Sequence, residues 1–266
     1  VTSPHPTAIG GTVGAVDLGL STRTAAVAAA SAGLGLEAAR ALAREGVTVA
    51  ICGRDRARVE RAATRVGGGA VPLVADVSSP EGATDFVDQA TAALGRVDIL
   101  VANAGGPPSG TFATTPLEAY LPALALNLLS TVAMCQAAVP PMATRGWGRV
   151  VAITSASVRQ PIPTLILSNT ARAGATGFLK TLAIEVAPQG VTVNSVQPGI
   201  HATERFRQLY GDDDDAVAAV AENIPVRAVG RAEDFGEVVA FLCSTSARFL
   251  TGAAIPVDGG ASRGLQ

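Results

Sequence analysis

From Thr24 onward the chain alternates between short, nearly continuous apolar runs and longer stretches whose apolar residues recur every three or four positions. The first pattern fits strands buried on both faces, and the second fits helices with one face on a core. Strands are therefore predicted over 24–30 (TAAVAAA), 47–53, 70–76, 97–105, 148–155, 190–199 and 253–260. Between the first two, Leu34, Ala38, Ala41 and Leu42 share one helical face, and Gly46 ends that helix after Arg44. A charged helix follows over 55–66. Ser79-Pro80-Glu81 opens the next with a capping serine and a proline at its first position. Further helices are expected over 116–144, with breaks at Pro122 and Pro140-Pro141, over 168–187 and over 232–244. Residues 201–230, with the acidic run Asp212 to Asp215, are expected to form a mobile, solvated insertion.

Strands that alternate with helices need crossover connections, so the fold class expected is α/β: a doubly wound, Rossmann-like parallel sheet in a single domain over 20–266. Residues 1–19 are expected to be a disordered or mobile extension. They lack the basic segment and apolar core of a signal peptide.

Hydrophobic residues make up 48% of the chain but aromatics only 4%, so close packing must rely on small side chains. A net charge of −2 with mixed signs provides no basic face, which argues against nucleic acid as a partner. Outside the alanine-rich helices no apolar run approaches the length of a membrane span, so no membrane association is expected. Cys52, Cys135 and Cys243 lie far apart in apolar runs without metal-ligand spacing. Reduced thiols, a cytoplasmic location and no bound metal follow as expectations.

In a sheet of this kind ligands bind beyond the carboxyl ends of the strands, where strand order reverses. The loop after the first strand carries Ser31, Gly33, Leu34 and Gly35, small enough for the backbone to approach a diphosphate at a helix N-terminus. Arg54, at the end of the second strand, stands where a ribose-binding carboxylate would favour NAD. Its guanidinium fork suits a 2′-phosphate, and NADP is expected over NAD. Asp76-Val77 and Asn103-Ala104-Gly105 end the third and fourth strands, where adenine and the passing cofactor would be met.

Several motifs in this order, SAGLG (31–35), DV (76–77), GRVDILVANAG (95–105), Asn127, ITS (153–155), VTVNSVQPGIHAT (191–203) and LTGAAIPVDGG (250–260), resemble the classical short-chain dehydrogenase/reductase family over roughly residues 20–262. The resemblance implies hydride transfer between NAD(P)(H) and a small-molecule carbonyl substrate. It also implies cofactor contacts from Pro198, Gly199, Ile200 and Thr203, and a homo-oligomer, tetramer or dimer. Helices near 123–144 and 168–187, and the 250–260 end, would build the subunit interfaces.

The family's catalytic Asn and Ser match Asn127 and Ser155, but its Tyr and Lys fall on Ser168 and Arg172. Ala28 and Ala29 replace the first Thr and Gly of the family's TGxxxGxG, and Ala102 the first Asn of NNAG. A serine hydroxyl is a far weaker acid than a phenol near pKa 10. Arg172 can hold a ribose but cannot shuttle a proton. Three readings follow. The chain is a reductase of a carbonyl, imine or activated-alkene substrate, either with a non-standard proton donor (Ser155, water, His201 or Tyr210) or with an iminium or activated alkene that needs none at oxygen. Alternatively it is a cofactor-binding, noncatalytic protein, or a non-redox lyase or isomerase. Substrate-facing residues are expected from 106–111, 157–165 and the 201–230 segment, which suggests a moderately apolar substrate.

Overall fold

All seven predicted strands form, each shorter than the apolar run that encodes it. In the computed structural model, which describes residues 16–211 and 213–264, they are β1 (Thr24–Val27), β2 (Thr48–Gly53), β3 (Val71–Val74), β4 (Ile99–Ala102), β5 (Gly148–Ile153), β6 (Val191–Pro198) and β7 (Ala254–Val257). They pair in parallel in the order β3-β2-β1-β4-β5-β6-β7, with Val27 opposite both Ile51 and Val101. The residues that drop out of the predicted strands, such as Ala28–Ala30 and Asn103–Gly105, lie at the carboxyl edge of the sheet, where the N–H groups of Ala28 and Ala30 still donate to the Val101 and Cys52 carbonyls at 3.0 and 2.9 Å. They become the loops that line the cavity described below.

Helices cover both faces. On one lie α1 (Gly33–Arg44), α2 (Arg56–Val66) and α9 (Ala232–Cys243), whose Leu36, Leu42, Val59, Phe235 and Leu242 join Ile51 and Val101 in one buried cluster. On the other lie α3 (Pro80–Leu94), α5 (Ser130–Thr144) and α6 (Ile166–Val186), bringing Phe86, Met134, Met142 and Leu179 against Leu100 and Val150. The capping expected at Ser79 is present, with its Oγ accepting from the Gly82 N–H at 3.2 Å. Helix α6 starts two residues earlier than predicted, which places Ser168 inside its first turn.

The predicted helix over 116–144 breaks at a different place. A 3₁₀ turn and the short helix α4 (Tyr120–Leu124) lead into a π turn over Ala125–Leu129, and only then does α5 begin. Pro122 occupies the first turn of α4, where its missing N–H costs little. Pro140 and Pro141 lie inside α5 without ending it. The apolar run Leu117–Thr144 has the length and composition of a membrane-crossing helix, but half of an apolar 18-residue window within it is buried in the protein, with α5 packed on α3.

The 201–230 insertion contains two helices, α7 (Glu204–Tyr210) and α8 (Asp214–Ala221), and buries Phe206, Ala221 and Ile224. Its two ends are stapled: the Ala202 N–H donates to the Gly230 carbonyl (2.8 Å) and the Gly230 N–H to the Ile200 carbonyl (3.0 Å). His201 is buried at this staple, edge-on to Phe235 at 5.3 Å. Asp212, within the acidic run, lies outside the described residues. So do residues 1–15 of the expected extension, whereas Leu18 packs on the core and its carbonyl accepts from the Thr245 N–H at 2.9 Å.

Two predictions follow from the backbone. Ala29 has φ +47°, in the left-handed region, at a position where the family pattern has glycine. That conformation costs an alanine about 1–2 kcal/mol, partly offset by the lower chain entropy of alanine when unfolded. Ala29→Gly is expected to raise stability by roughly 1 kcal/mol, or about 2–4 °C in Tm, measurable by thermal unfolding. The second concerns His201, whose burial pushes its pKa below the ordinary imidazole value, against smaller opposite effects of the Gly199 carbonyl and of Asp234 and Asp258. The folded state then binds fewer protons than the unfolded one, so His201 contributes its full stability above about pH 6.5 and loses it as pH falls. His201→Asn should flatten that acid-side fall in urea-unfolding series.

Candidate active site

A cavity of about 940 Å³ opens beyond the carboxyl ends of the strands, next to the reversal of strand order between β1 and β4. Its wall is built from the loops after β1, β2, β4, β5, β6 and β7 and from α7. The floor near β1 has no side chains to fill it. A Cβ on Gly35 would lie 2.7 Å from Asn103 Nδ2 and 3.0 Å from the Ala29 carbonyl oxygen, so only glycine fits there. Gly33, with φ +62°, begins α1, and no side chain caps that helix. The first N–H groups of α1 are therefore free to meet an anion, which is what a dinucleotide diphosphate requires. Thr203, the N-cap of α7, sits across from Gly33: a Cβ there would lie 4.0 Å from Thr203 Cγ2. Leu34, Asn103, Ala104, Gly105, Pro198, Gly199 and Ile200 also line the cavity. These features fit a nicotinamide dinucleotide.

Not every expected cofactor residue reaches this wall. Ser31 is not among the lining residues; its Cβ is 3.0 Å from where a Cβ on Gly53 would stand, so it packs the end of β2. Asp76 is exposed, with its carboxylate accepting from the Ser78 N–H at 3.0 Å, and neither it nor buried Val77 is on the wall. At the β2 end the lining residues are Arg54 and, one turn into α2, Arg58. Arg58 Nη2 donates to Glu204 Oε2 of α7 at 2.6 Å, an ion pair that reaches across the cavity mouth.

At the other end Ser155, Ser168 and Arg172 share the same wall. Ser155 lies two residues beyond β5 and caps the following 3₁₀ turn, with its Oγ accepting from the Ser157 N–H at 3.1 Å. The Ser157 hydroxyl is buried without a partner among the described residues, and Ser157 also lines the cavity. Arg172 lies one helical turn beyond Ser168 on α6. Its Nη1 donates to the carbonyls of Ile153 (2.9 Å) and Thr154 (3.0 Å), which props the end of β5. Burial, with a smaller contribution from the nearby charge of Arg205, pushes its pKa down to about 10.

Asn127 behaves differently from the other three. It sits in the π turn, is buried, and does not line the cavity; its Nδ2 donates to the Gly105 carbonyl at 2.8 Å. It is thus a positioning residue for the loop after β4. Its Oδ1 is buried without a partner among the described residues.

The remaining titratable groups divide clearly. His201 reaches the wall, but it is packed against Phe235, its Nδ1 is 3.3 Å from the Gly199 carbonyl, and burial favours its neutral form. Tyr210, at the end of α7, also lines the cavity and is about half exposed. The three cysteines are free and buried, with thiols pushed up to about 12, chiefly by desolvation. Arg58 and Arg205 were not expected from the sequence. The available signal was the placement of Arg205 two residues beyond Thr203, where the family motif ends.

Comparison with known proteins places these features in a family. Residues 28–262 match the family model described as enoyl-(acyl carrier protein) reductase. The chain is 33% identical over 250 residues to dehydrogenase/reductase SDR family member 4 of Sus scrofa, covering 92% of this chain and 89% of that protein. The L-sorbose reductase of Gluconobacter frateurii, solved with NADPH and L-sorbose, superposes with a TM-score of 0.88 at 29% identity, over 94% of this chain and 100% of that one. YwfH, an NADPH-dependent reductase of bacilysin biosynthesis, gives 0.86 at 26% identity, over 91% and 99%. With its parallel seven-stranded sheet and its glycine-floored cavity at the reversal point, the chain belongs to the short-chain dehydrogenase/reductase family.

Proposed function

We propose that the protein is an NADP(H)-dependent reductase of a small carbonyl, imine or activated-alkene substrate, with a proton donor other than the family's tyrosine. The observation that carries this reading is the continuity of the cavity: the glycine floor, Arg54 and the Ser155–Arg172 wall belong to one space. When bound, NADPH supplies the hydride. Arg54 and Arg58 would hold the 2′-phosphate, the α1 N-terminus and Thr203 the diphosphate, and Arg172 the nicotinamide ribose. Ser155 orients the substrate oxygen. Ser168 leaves the acid position without a phenol, and Tyr210 brings one to the same cavity from α7, while His201 is kept neutral by burial. The proton is therefore assigned to Tyr210 or to water held at Ser155.

The expected homo-oligomer is retained as part of the proposal. It is supported by large apolar side chains exposed on the faces named for it, among them Leu121, Leu129 and Ile184, and by Leu250 at the C-terminal end. A noncatalytic, cofactor-binding role is the second reading, favoured by the absence of a phenol at position 168.

Arg54→Ala is expected to weaken NADPH binding about 10- to 100-fold while changing NADH binding little, by loss of a charge-assisted contact. Fluorescence titration reads it, and equal losses for both cofactors would reject the NADP assignment. Purified protein with NADPH should oxidise it in a panel of ketones, enones, imines and quinones; tight NADPH binding with no oxidation across the panel would overturn the reductase reading. If an active substrate is found, Ser168→Tyr combined with Arg172→Lys should raise ketone reduction by about 10²–10⁴, the usual contribution of a placed general acid. Tyr210→Phe in the otherwise unaltered protein should lower it if Tyr210 donates.

A further inference from the structure

The cavity wall carries four arginines, Arg54, Arg58, Arg172 and Arg205, and the lining residues include one carboxylate, Glu204. Glu204 is already bonded to Arg58 at 2.6 Å, at the end beside β2. Neither Arg172 nor Arg205 takes part in an ion pair among the described residues. Two guanidinium groups thus share the catalytic end of one cavity, close enough for the charge on Arg205 to disfavour the charge on buried Arg172. Like charges held together in a partly desolvated space are stabilised by an anion between or beside them.

The position of Arg205 separates it from the phosphate sites. Its guanidinium lies 3.7–3.8 Å from the point a Cβ on Gly106 would occupy, beyond the Gly105 carbonyl that Asn127 holds. The features suited to a diphosphate are elsewhere, at Gly33 and Thr203, and those suited to a 2′-phosphate are at Arg54 and Arg58. Pro107 follows Gly106 on the wall, and the stretch of wall from 160 to 165 is uncharged and includes Pro161, Ile162 and Leu165. A cationic anchor beside an apolar wall selects a ligand with one anionic head and an apolar body.

We propose that Arg205, backed by the positive charge of Arg172, forms a carboxylate-binding subsite at the catalytic end of the cavity. The molecules bound there are small organic acids, with 2-oxo acids bearing an apolar side chain as the matching substrate class. Arg205 grips the carboxylate. Arg172 keeps its Nη1 on the Ile153 and Thr154 carbonyls and contributes field, and the apolar wall takes the side chain. That these acids are substrates rests on the reductase reading above; that they bind does not.

Phenylglyoxylate, its methyl ester and inorganic phosphate serve as probes in isothermal titration calorimetry, with and without saturating NADP⁺. Phenylglyoxylate is expected to bind at least tenfold more tightly than the ester, and Arg205→Gln should remove that preference by weakening the acid about 10- to 100-fold. The ester and NADPH should then bind the variant within twofold of the unaltered protein, and Arg205→Lys should recover part of the acid affinity. Equal binding of acid and ester, or no binding of the acid up to 10 mM (about the weakest affinity this titration reads), would overturn the subsite. Parallel loss of NADPH and acid binding in Arg205→Gln would also overturn it and assign Arg205 to the cofactor diphosphate. So would displacement of the acid by inorganic phosphate at comparable concentration, which marks an unselective anion site. Tight binding of the acid without NADPH oxidation would leave the subsite standing and reject only the reductase reading.

Discussion

The side-chain amide of Asn103 ties the ends of β1 and β4 together where the strand order reverses. Its Nδ2 donates to the carbonyls of Ala28 and Ala29, both at 3.2 Å. These carbonyls have left the ladder and would otherwise face a cavity floor without partners, a cost of about 1–3 kcal/mol for each buried group left unsatisfied. The bond brings Asn103 so close to α1 that position 35 must be glycine, and it holds the loop after β1 in the bend that gives Ala29 its positive φ. Asn127 repeats the device one step further on, holding Gly105 from the π turn. The cavity floor is therefore fixed by two amides, and the wall built on it inherits that geometry.

On this fixed floor the charges of the wall are set by arginines. A protein with a net charge of −2 surrounds its cavity with arginines and places its carboxylates mostly elsewhere. An arginine at position 172 is longer and wider than a lysine would be. The structure uses the extra reach to prop β5 through the Ile153 and Thr154 carbonyls. Arg172 is thus a structural member of the site as well as a charge within it, and its function is divided in a way a lysine's would not be.

The fold was legible because its signals are local and repeated. Each strand is an apolar run, each helix a 3.6-residue recurrence, and glycines stand where the backbone turns sharply. The strand ends were harder to read. Ala28 to Ala30 are as apolar as the strand before them, and only the long-range bonds from Asn103 Nδ2 to the Ala28 and Ala29 carbonyls, and from the Ala29 N–H to Cys52 Sγ, show where the strand stops. The break at 125–129 was missed for the same reason. In the sequence ALNLL only Asn127 is a weak helix former, too small a signal to mark a break, and its side chain holds a loop 22 residues away in sequence. Of the site, the motif-borne residues were legible. Asp76 and Val77 belong to the motif but not to the cavity wall, and Arg205 belongs to the wall but not to the motif. Its placement depends on how α7 lies, which no local pattern encodes.

The ion pair between Arg58 and Glu204 joins the end of the groove beside β2 to α7, 146 residues further along the chain. A phosphate that takes Arg58 must compete with Glu204 for the same guanidinium, and Glu204 stands at the first turn of the helix that carries Arg205 and Tyr210. Occupation of one end of the groove is therefore felt at the other as a change in how firmly that helix is held. Both partners are about half exposed, and exposed pairs of this kind contribute about 0–1 kcal/mol. The two ends can then alter each other's affinity by at most about fivefold through this contact, which is enough to bias the order in which ligands enter but too little to forbid either from binding alone.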